Sequence, residues 1–417
     1  MGAGGAAIEQ NRIDTNPLQS AKSTMAIRVL LVEDSPVFLI VLKRMLESSE
    51  DLEVVGTART GKEALTLIPQ VQPQVICTDL HMPEMDGLEL TKEVMAKYPR
   101  PILVLSASVQ AENTQNVFQV LAAGAVDVLP KPMAGVSADL EALKREVIAK
   151  IKVLAGVTVF TLHRHRREPS IFGSTSEGSS KNSIGHVAPT PASGKPQTPG
   201  SSVGDGLHVG GYKMVGIGSS TGGPQALQSI LKALPTNFPV PVVCVQHISA
   251  GFLLGLVQWL DGECALPVQI AQLGEIPQPG TVYFPPEDRH LEFDCFGRFT
   301  DSMAPPRAGH RPSISVTFES LAQCYAYQSI GILLTGMGRD GASGMQKIDR
   351  AGGVTIAQDE ASSVVFGMPK EAIALGAAQH ILPVSAIAPL LTERLLAHQL
   401  ALDPIAELSR MRHNKNR

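Results

Sequence analysis

The stretch Gly218-Ser219-Ser220-Thr221-Gly222-Gly223 sets a serine among glycines, directly after the apolar run 212–217 and directly before the helix-like run 224–231. A buried strand that ends in such a turn and feeds a helix holds Ser220 on a sharp bend, with its hydroxyl pointing away from the sheet. The first N–H groups of the helix have no partner within it and can face a developing oxyanion, so Thr221 and Gly222 join the candidate site. The glycines keep side chains out of a substrate's path. Taken alone, the stretch fits a phosphate-cradling turn or an ordinary strand-to-helix turn as well as a nucleophile. A nucleophilic serine needs a base and a group that orients it. Among eleven histidines, His247 ends the apolar run 240–246, the expected next parallel strand, and so shares a carboxyl edge with Ser220. A second glycine-rich turn, Thr335-Gly336-Met337-Gly338-Arg339-Asp340-Gly341, follows another apolar run. Asp340 there is expected to accept from His247 Nδ1–H, fixing the tautomer and stabilising the imidazolium. Gly336, Gly338 and Gly341 allow close backbone approach, and an N–H near Met337 is a further oxyanion candidate. His310, in the loop 306–312, is a candidate substrate contact. His290 is a rival, although a lone histidine is more often structural than catalytic.

Other chemistries fit less well. A dinucleotide turn needs glycine where Thr221 stands and an acid about twenty residues on, where Gln246-His247 is found instead. A Walker loop fails for want of Gly-Lys-Ser/Thr. The α/β-hydrolase order puts the acid before the histidine, so Ser220, His247 and Asp340 form a convergent triad on another sheet.

A second set of reagents stands at strand ends in the first half: Glu33 and Asp34, then Asp79, Ser106 and Lys131. In a parallel sheet these ends converge on one edge. Three carboxylates there repel unless a divalent cation binds, and Mg²⁺ suits oxygen ligands. Such an ion beside Asp79 offsets charge on an incoming phosphoryl group. Lys131 adds a fixed cation, and Ser106 a hydroxyl donor.

The elements that must position these residues alternate strand and helix. Strands are expected at 27–32, 52–58, 75–78, 102–105 and 126–129, with helices at 35–48, 61–68, 87–97, 114–123 and 137–153. In the second half, 240–246 and 329–335 are buried-strand runs, and 352–357 and 380–382 are late short strands. The runs 281–284, 290–293 and 297–299 have no helix-length spacers, which suggests a small antiparallel excursion. The fold class is therefore α/β, with two doubly wound parallel-sheet domains, the second Rossmann-like. Between them, Ser, Gly, Pro and Thr supply 24 of the 39 residues from 168 to 206, too little apolar surface to order a chain. The domain reading is a disordered extension over 1–24, a first domain over 25–155, a flexible linker over 156–210, a second domain over 211–402 and a tail over 403–417.

Bulk composition narrows the partners. A net charge of −4 gives no footprint for nucleic acid. No 18-residue apolar run exists, so no membrane insertion is expected, and the location is read as cytoplasmic. Five cysteines without a CxxC pair argue against a disulfide framework or a zinc site and for buried reduced thiols.

Val32-Glu33-Asp34-Ser35, Thr78-Asp79-Leu80-His81-Met82-Pro83-Glu84-Met85-Asp86-Gly87, Ser106-Ala107 and Leu129-Pro130-Lys131-Pro132 resemble the response-regulator receiver family. The resemblance implies a phosphorylatable Asp79, with Glu33, Asp34 and Asp79 as Mg²⁺ ligands and Ser106 and Lys131 as switch residues. Glu33 departs mildly from the two aspartates common at that motif, and Val126-Asp127-Val128-Leu129 lacks the usual aromatic. Gly218 to Gly223, Val245-Gln246-His247-Ile248, His310-Arg311-Pro312-Ser313 and Thr335 to Gly341 resemble the chemotaxis protein-glutamate methylesterase family (CheB). Ser219 stands where that family often has alanine. With the receiver in front, the resemblance covers nearly all of the chain except the extension and the linker. It implies hydrolysis of glutamate γ-methyl esters on chemoreceptors with release of methanol, and deamidation of certain receptor glutamines. It further implies a CheA-type histidine kinase as phosphodonor and no cofactor for the ester reaction. In the family, the unphosphorylated receiver covers the esterase cleft. Here the 39 biased residues would span about 30–40 Å as a coil and lower the effective concentration of the cover, so a leakier off-state is expected than in a short-linked relative. The alternative is a receiver-linked adaptor whose second domain binds partners without catalysis.

Overall fold

The computed structural model describes residues 26–106, 111–131, 137–157 and 211–396. The expected extension over 1–24, the linker from 158 onward and the tail over 403–417 lie outside the described residues. In the first half, β1 (Ile27–Val32), β2 (Leu52–Ala58), β3 (Val75–Asp79), β4 (Ile102–Ser106) and β5 (Asp127–Pro130) alternate with five helices. These are α1 (Pro36–Glu47), α2 (Gly61–Val71), α3 (Gly87–Lys97), α4 (Ala111–Ala122) and α5 (Ser137–Leu154). All strand pairs are parallel, in the order β2-β1-β3-β4-β5. Every residue of β3 and β4 is buried, which is why they read as unbroken apolar runs. Ser35, Thr60 and Asp86 start three of the helices by accepting from the amides of Phe38, Glu63 and Glu89. The helices thus begin just past the strand ends and leave the acidic edge to the loops.

The second half opens with β6 (Met214–Ser219), α6 (Gly223–Leu231), β7 (Val242–Gln246), α7 (Leu253–Glu263), β8 (Val268–Ile270) and β9 (Val282–Phe284). The hairpin β10 (His290–Phe293) and β11 (Phe299–Ser302) follows, then α8 (Ile314–Tyr325), β12 (Ser329–Leu333), α9 (Ala342–Arg350), β13 (Val354–Gln358), α10 (Met368–Ala374) and β14 (His380–Leu382). A last helix covers 384–396. Seven parallel strands lie in the order β14-β13-β12-β6-β7-β9-β8. β6 is where the winding reverses, and the crevice at its carboxyl end is where such sheets bind ligands.

Two expectations about the excursion need correction. The run 281–284 is not part of it: β9 is buried throughout and joins the main sheet in parallel. A parallel crossover needs enough chain to return, and the loop from β8 supplies it without a helix. The antiparallel part is only the pair β10–β11, with Phe293 opposite Phe299. β11 starts at Phe299 rather than 297 because Gly297, at φ 75°, belongs to the turn. Among the described residues no helix is long and apolar enough to cross a membrane. Cys77 and Cys244 are buried, and burial pushes the Cys77 thiol up to about 12, but Cys295 is exposed.

The first sheet's helices meet the second sheet's helices through apolar surface. The Phe118 ring of α4 stacks on Trp259 of α7 with centroids 5.6 Å apart. Gln225 Nε2 of α6 donates to the Ala125 carbonyl at 2.6 Å. One buried apolar cluster runs through Phe118 and Leu121 to Leu256 and Leu260.

Candidate active site and phosphoryl site

Three adjacent strands supply the site in the second half. β6 leads into Ser220, β7 into His247 and the loop after β12 into Asp340, and both β7 and β12 pair with β6. The sequence-derived trio therefore meets at one carboxyl edge. His247 Nε2 lies 2.9 Å from Asp340 Oδ2, and both side chains are buried. This corrects the expected pairing through Nδ1. The backbone of His247 is tied to the Ser219 carbonyl (2.9 Å), so the ring must reach outward to the acid, and the far nitrogen arrives first. His247 Nδ1 is buried without a protein partner among the described residues.

Asp340 sits in a cradle that sequence reasoning missed. Its Oδ1 accepts from Ser313 Oγ (2.9 Å), the Ser315 amide (3.1 Å) and the Gly341 amide (2.9 Å). Its Oδ2 accepts from the Ile314 amide (2.8 Å) besides His247. These donors belong largely to the first turn of α8, where amides lack helical partners. Burial alone would raise the Asp340 carboxyl, but the hydrogen bond and charge of His247 and the Ser315 donors outweigh it and hold the group far below the usual carboxylate range. An ionised Asp340 keeps the proton on Nε2, which leaves Nδ1 as the basic nitrogen. The available signal was Ser313 at a helix start next to the His310-Arg311-Pro312 motif.

The two adjacent serines separate cleanly. Ser219 is fully buried, and its Oγ donates to Gln246 Oε1 at 2.6 Å. Ser220 is half-buried; its amide donates to the Thr335 carbonyl (3.0 Å), and its carbonyl accepts from the Gly223 amide and from Gln246 Nε2, both at 2.8 Å. Gln246 Nε2 also donates to the His247 carbonyl (2.7 Å), so one amide side chain ties the nucleophile turn to the histidine turn. Gln246 is a second residue that the motif contained and the sequence reading did not use. The Ser220, Gly223 and Gly336 amides are committed to backbone carbonyls. That narrows the oxyanion candidates to Thr221, Gly222 and Met337.

The glycines serve packing more than substrate access. A Cβ on Gly336 would lie 2.7 Å from Ser220 Cβ, and one on Gly222, at φ 74°, would lie 2.6 Å from Val364 Cβ. His290 is almost wholly buried, and its Nδ1 accepts from the Ser313 amide at 3.1 Å, a structural role. The His310 ring lies flat on His247, with centroids 3.6 Å apart and planes 8° from parallel.

In the first half, carboxylate oxygens of Glu33, Asp34 and Asp79 lie within 4.8 Å of one another. Lys131 Nζ lies 2.7 Å from Glu33 and 2.6 Å from Asp79. Burial raises the Glu33 carboxyl, and the Lys131 ammonium only partly offsets this. Such a crowded, all-oxygen donor set suits a hard divalent cation such as Mg²⁺. Asp79 Oδ1 accepts from the Leu80 amide at 2.6 Å. Ser106 is buried at the end of β4, its carbonyl accepting from the Lys131 amide at 2.8 Å. No aromatic side chain precedes Lys131 on β5, but the Phe38 ring of α1 lies 5.0 Å from its ammonium.

Asp127 of β5 touches the serine turn and pairs with a residue of α5. Thr221 Oγ1, one residue after Ser220, donates to Asp127 Oδ2 at 3.0 Å. Lys150 of α5 pairs with the same carboxylate at 2.5 Å. A cavity of about 340 Å³ lies between Asp127, Glu146 and Lys150 on one side and Gln246, His247 and His310 on the other.

An edge of carboxylates and a lysine, joined to a parallel sheet with a serine–histidine–aspartate edge, fits a receiver-linked hydrolase. Residues 29–141 match the response regulator receiver domain, and residues 215–391 match CheB methylesterase. A protein-glutamate methylesterase/protein-glutamine glutaminase of Nitrosospira multiformis is 39% identical over 88% of this chain and 96% of its own. One from Syntrophus aciditrophicus is 37% identical over 88% of this chain and 98% of its own. The catalytic domain of a Thermotoga maritima CheB methylesterase, known as a crystal structure, is 42% identical over 44% of this chain and 98% of that one, with a TM-score of 0.43. The chain belongs to the CheB protein-glutamate methylesterase/protein-glutamine glutaminase family.

Proposed function

We propose that this chain hydrolyses glutamate γ-methyl esters on chemoreceptors, releasing methanol, and deamidates specific receptor glutamines by the same acyl-enzyme route. The observation that carries the reading is the buried His247–Asp340 pair, with Nε2 on the acid and Nδ1 left without a protein partner among the described residues. Ser220 Oγ attacks the γ-carbonyl while His247 Nδ1 takes its proton. The amides of Thr221, Gly222 and Met337 are the donors for the oxyanion. The imidazolium then returns the proton to the departing methoxide or ammonia, and water repeats the sequence to free glutamate. No cofactor enters this route. A non-catalytic adaptor would have no use for five donors around one buried acid.

Asp79 is the phosphoryl acceptor, from a CheA-type histidine kinase, with Ser106 and Lys131 sensing the new charge. A Mg²⁺ held by Glu33, Asp34 and Asp79 would supply charge neutralisation there. The Asp127–Thr221 contact favours a closed, less active state. Asp127→Ala removes a hydrogen bond worth about 1 kcal/mol and should raise unphosphorylated activity about 5-fold. Unchanged basal methanol release would remove that contact from the regulatory account.

The test is methanol release from methylated receptor membranes, with and without a small phosphodonor. Wild type should be stimulated about 5- to 150-fold and Asp79→Asn not at all. Trp259, the single tryptophan, faces Phe118 across the contact and should change its emission on activation. No methanol from wild type in either condition overturns the reading.

A further inference from the structure

We propose that His310 is the positioning residue for His247: its ring, laid flat on the His247 ring, fixes the plane in which Nδ1 meets the Ser220 proton. The inference rests on the triad reading above and extends it to a residue outside the triad. Among the described residues His247 has one side-chain hydrogen bond, from Nε2 to Asp340. An imidazole held at a single nitrogen can still swing about that bond. Among the described residues Nδ1 has no protein partner to stop it, and Nδ1 is the atom whose direction matters. Face-to-face contact at 3.6 Å and 8° blocks the swing on one side of the ring.

The loop that carries the stacking ring is anchored by two ion pairs. Arg307 forks onto Glu319 at 2.6 and 2.8 Å, and Arg311 forks onto Asp288 at 2.8 and 2.9 Å. Between these anchors Arg307 and His310 exchange backbone hydrogen bonds at 3.1 and 3.0 Å. Bidentate guanidinium–carboxylate pairs restrict direction as well as distance. The same segment runs on into Ser313 and Ser315, which hold Asp340. One stretch of chain therefore orients the acid through hydrogen bonds and the base through a flat contact.

The charged groups around His310 are His247 and Asp340 beside it and Lys150, Asp127 and Glu146 across the cavity. Burial, reinforced by the charge of His247, lowers the His310 imidazole to about 4. It therefore stays neutral at working pH. That suits its place, because a second cation 3.6 Å from an imidazolium would repel it.

The experiment compares intact wild type, His310→Ala and His310→Phe after phosphodonor activation. It reads kcat and KM for methanol release and, separately, the rate at which a fluorophosphonate labels Ser220. His310→Ala should lower kcat and the labelling rate about 10- to 100-fold, with KM changed less than about 2-fold. Phenylalanine keeps a flat ring and should recover both rates to within about 3-fold of wild type. Melting temperatures near wild type for both variants exclude simple unfolding. Full rates in His310→Ala overturn the proposal, as does a raised KM with intact kcat, which marks a substrate contact. A phenylalanine variant as slow as alanine also overturns it, because the nitrogens rather than the plane would then matter. If wild type releases no methanol but labelling still ranks wild type, phenylalanine, then alanine, the substrate reading fails and the positioning role stands.

Discussion

Ser220→Ala should abolish ester hydrolysis, with kcat falling about a million-fold, while the protein keeps its fold and its melting temperature. The fold should survive because, among the described residues, the hydroxyl has no structural partner. The turn is clamped through backbone groups of Ser220, by Thr335, Gly223 and the Gln246 side chain. Alanine fits the narrow space beside Gly336 as well as serine does, since the Cβ is the atom in contact. The neighbouring Ser219 offers no rescue. It is fully buried and its hydroxyl is spent on Gln246. Ser219→Ala is thus the matched control. It strands a buried amide oxygen, costing about 1–3 kcal/mol of stability, but leaves the nucleophile in place. Methanol release and fluorophosphonate labelling of both variants check this. Retained hydrolysis in Ser220→Ala would show that another group attacks the ester.

Asp340→Asn should lower kcat about 10⁴-fold through the tautomer of His247, at a cost of about 1–3 kcal/mol of stability for the Ile314 amide left without an acceptor. Three donors converge on Oδ1: the Ser313 hydroxyl and the amides of Ser315 and Gly341. They demand an acceptor, so the asparagine oxygen takes that side and its NH₂ turns toward His247 and the Ile314 amide. His247 Nε2 must then accept rather than donate, which moves the proton to Nδ1, the atom needed as base. The variant should show a low kcat, near-normal KM and a neutral, wrongly protonated imidazole by NMR. The linked stability effect has a definite sign. The Asp340 carboxyl is held below its unfolded value, so its contribution is present above the ordinary carboxylate range and lost as pH falls below about 4. Acid unfolding of wild type should include this loss, and that of Asp340→Asn should not. An asparagine variant with wild-type kcat would mean that the acid is dispensable for orienting the base.

Much of the architecture was legible because its periodicities are strong. Strands buried on both faces, such as β3 and β4, announce themselves as apolar runs, and Ser35, Thr60 and Asp86 mark helix starts. The segment 281–284 has no helix-length spacer, which points to an antiparallel excursion that the structure does not form there. β9 instead crosses back through an irregular loop, and only pairing partners distinguish the two arrangements.

The sequence by itself determined the reagents and their edge: a serine, a histidine and an aspartate, each after an apolar strand, and a carboxylate–lysine set after other strands. Strand-end position follows from the chain's own order, so it needs no distant contact. Only the tertiary structure decided which serine is turned outward, which nitrogen of His247 meets Asp340, and that His310 stacks on the base. Each of these depends on a partner brought from far along the chain: Gln246 for Ser219, the α8 turn for Asp340, and the Arg-anchored loop for His310. A hydroxyl or a ring nitrogen takes its direction from the donor or acceptor that packs beside it, and local periodicity carries no record of that neighbour.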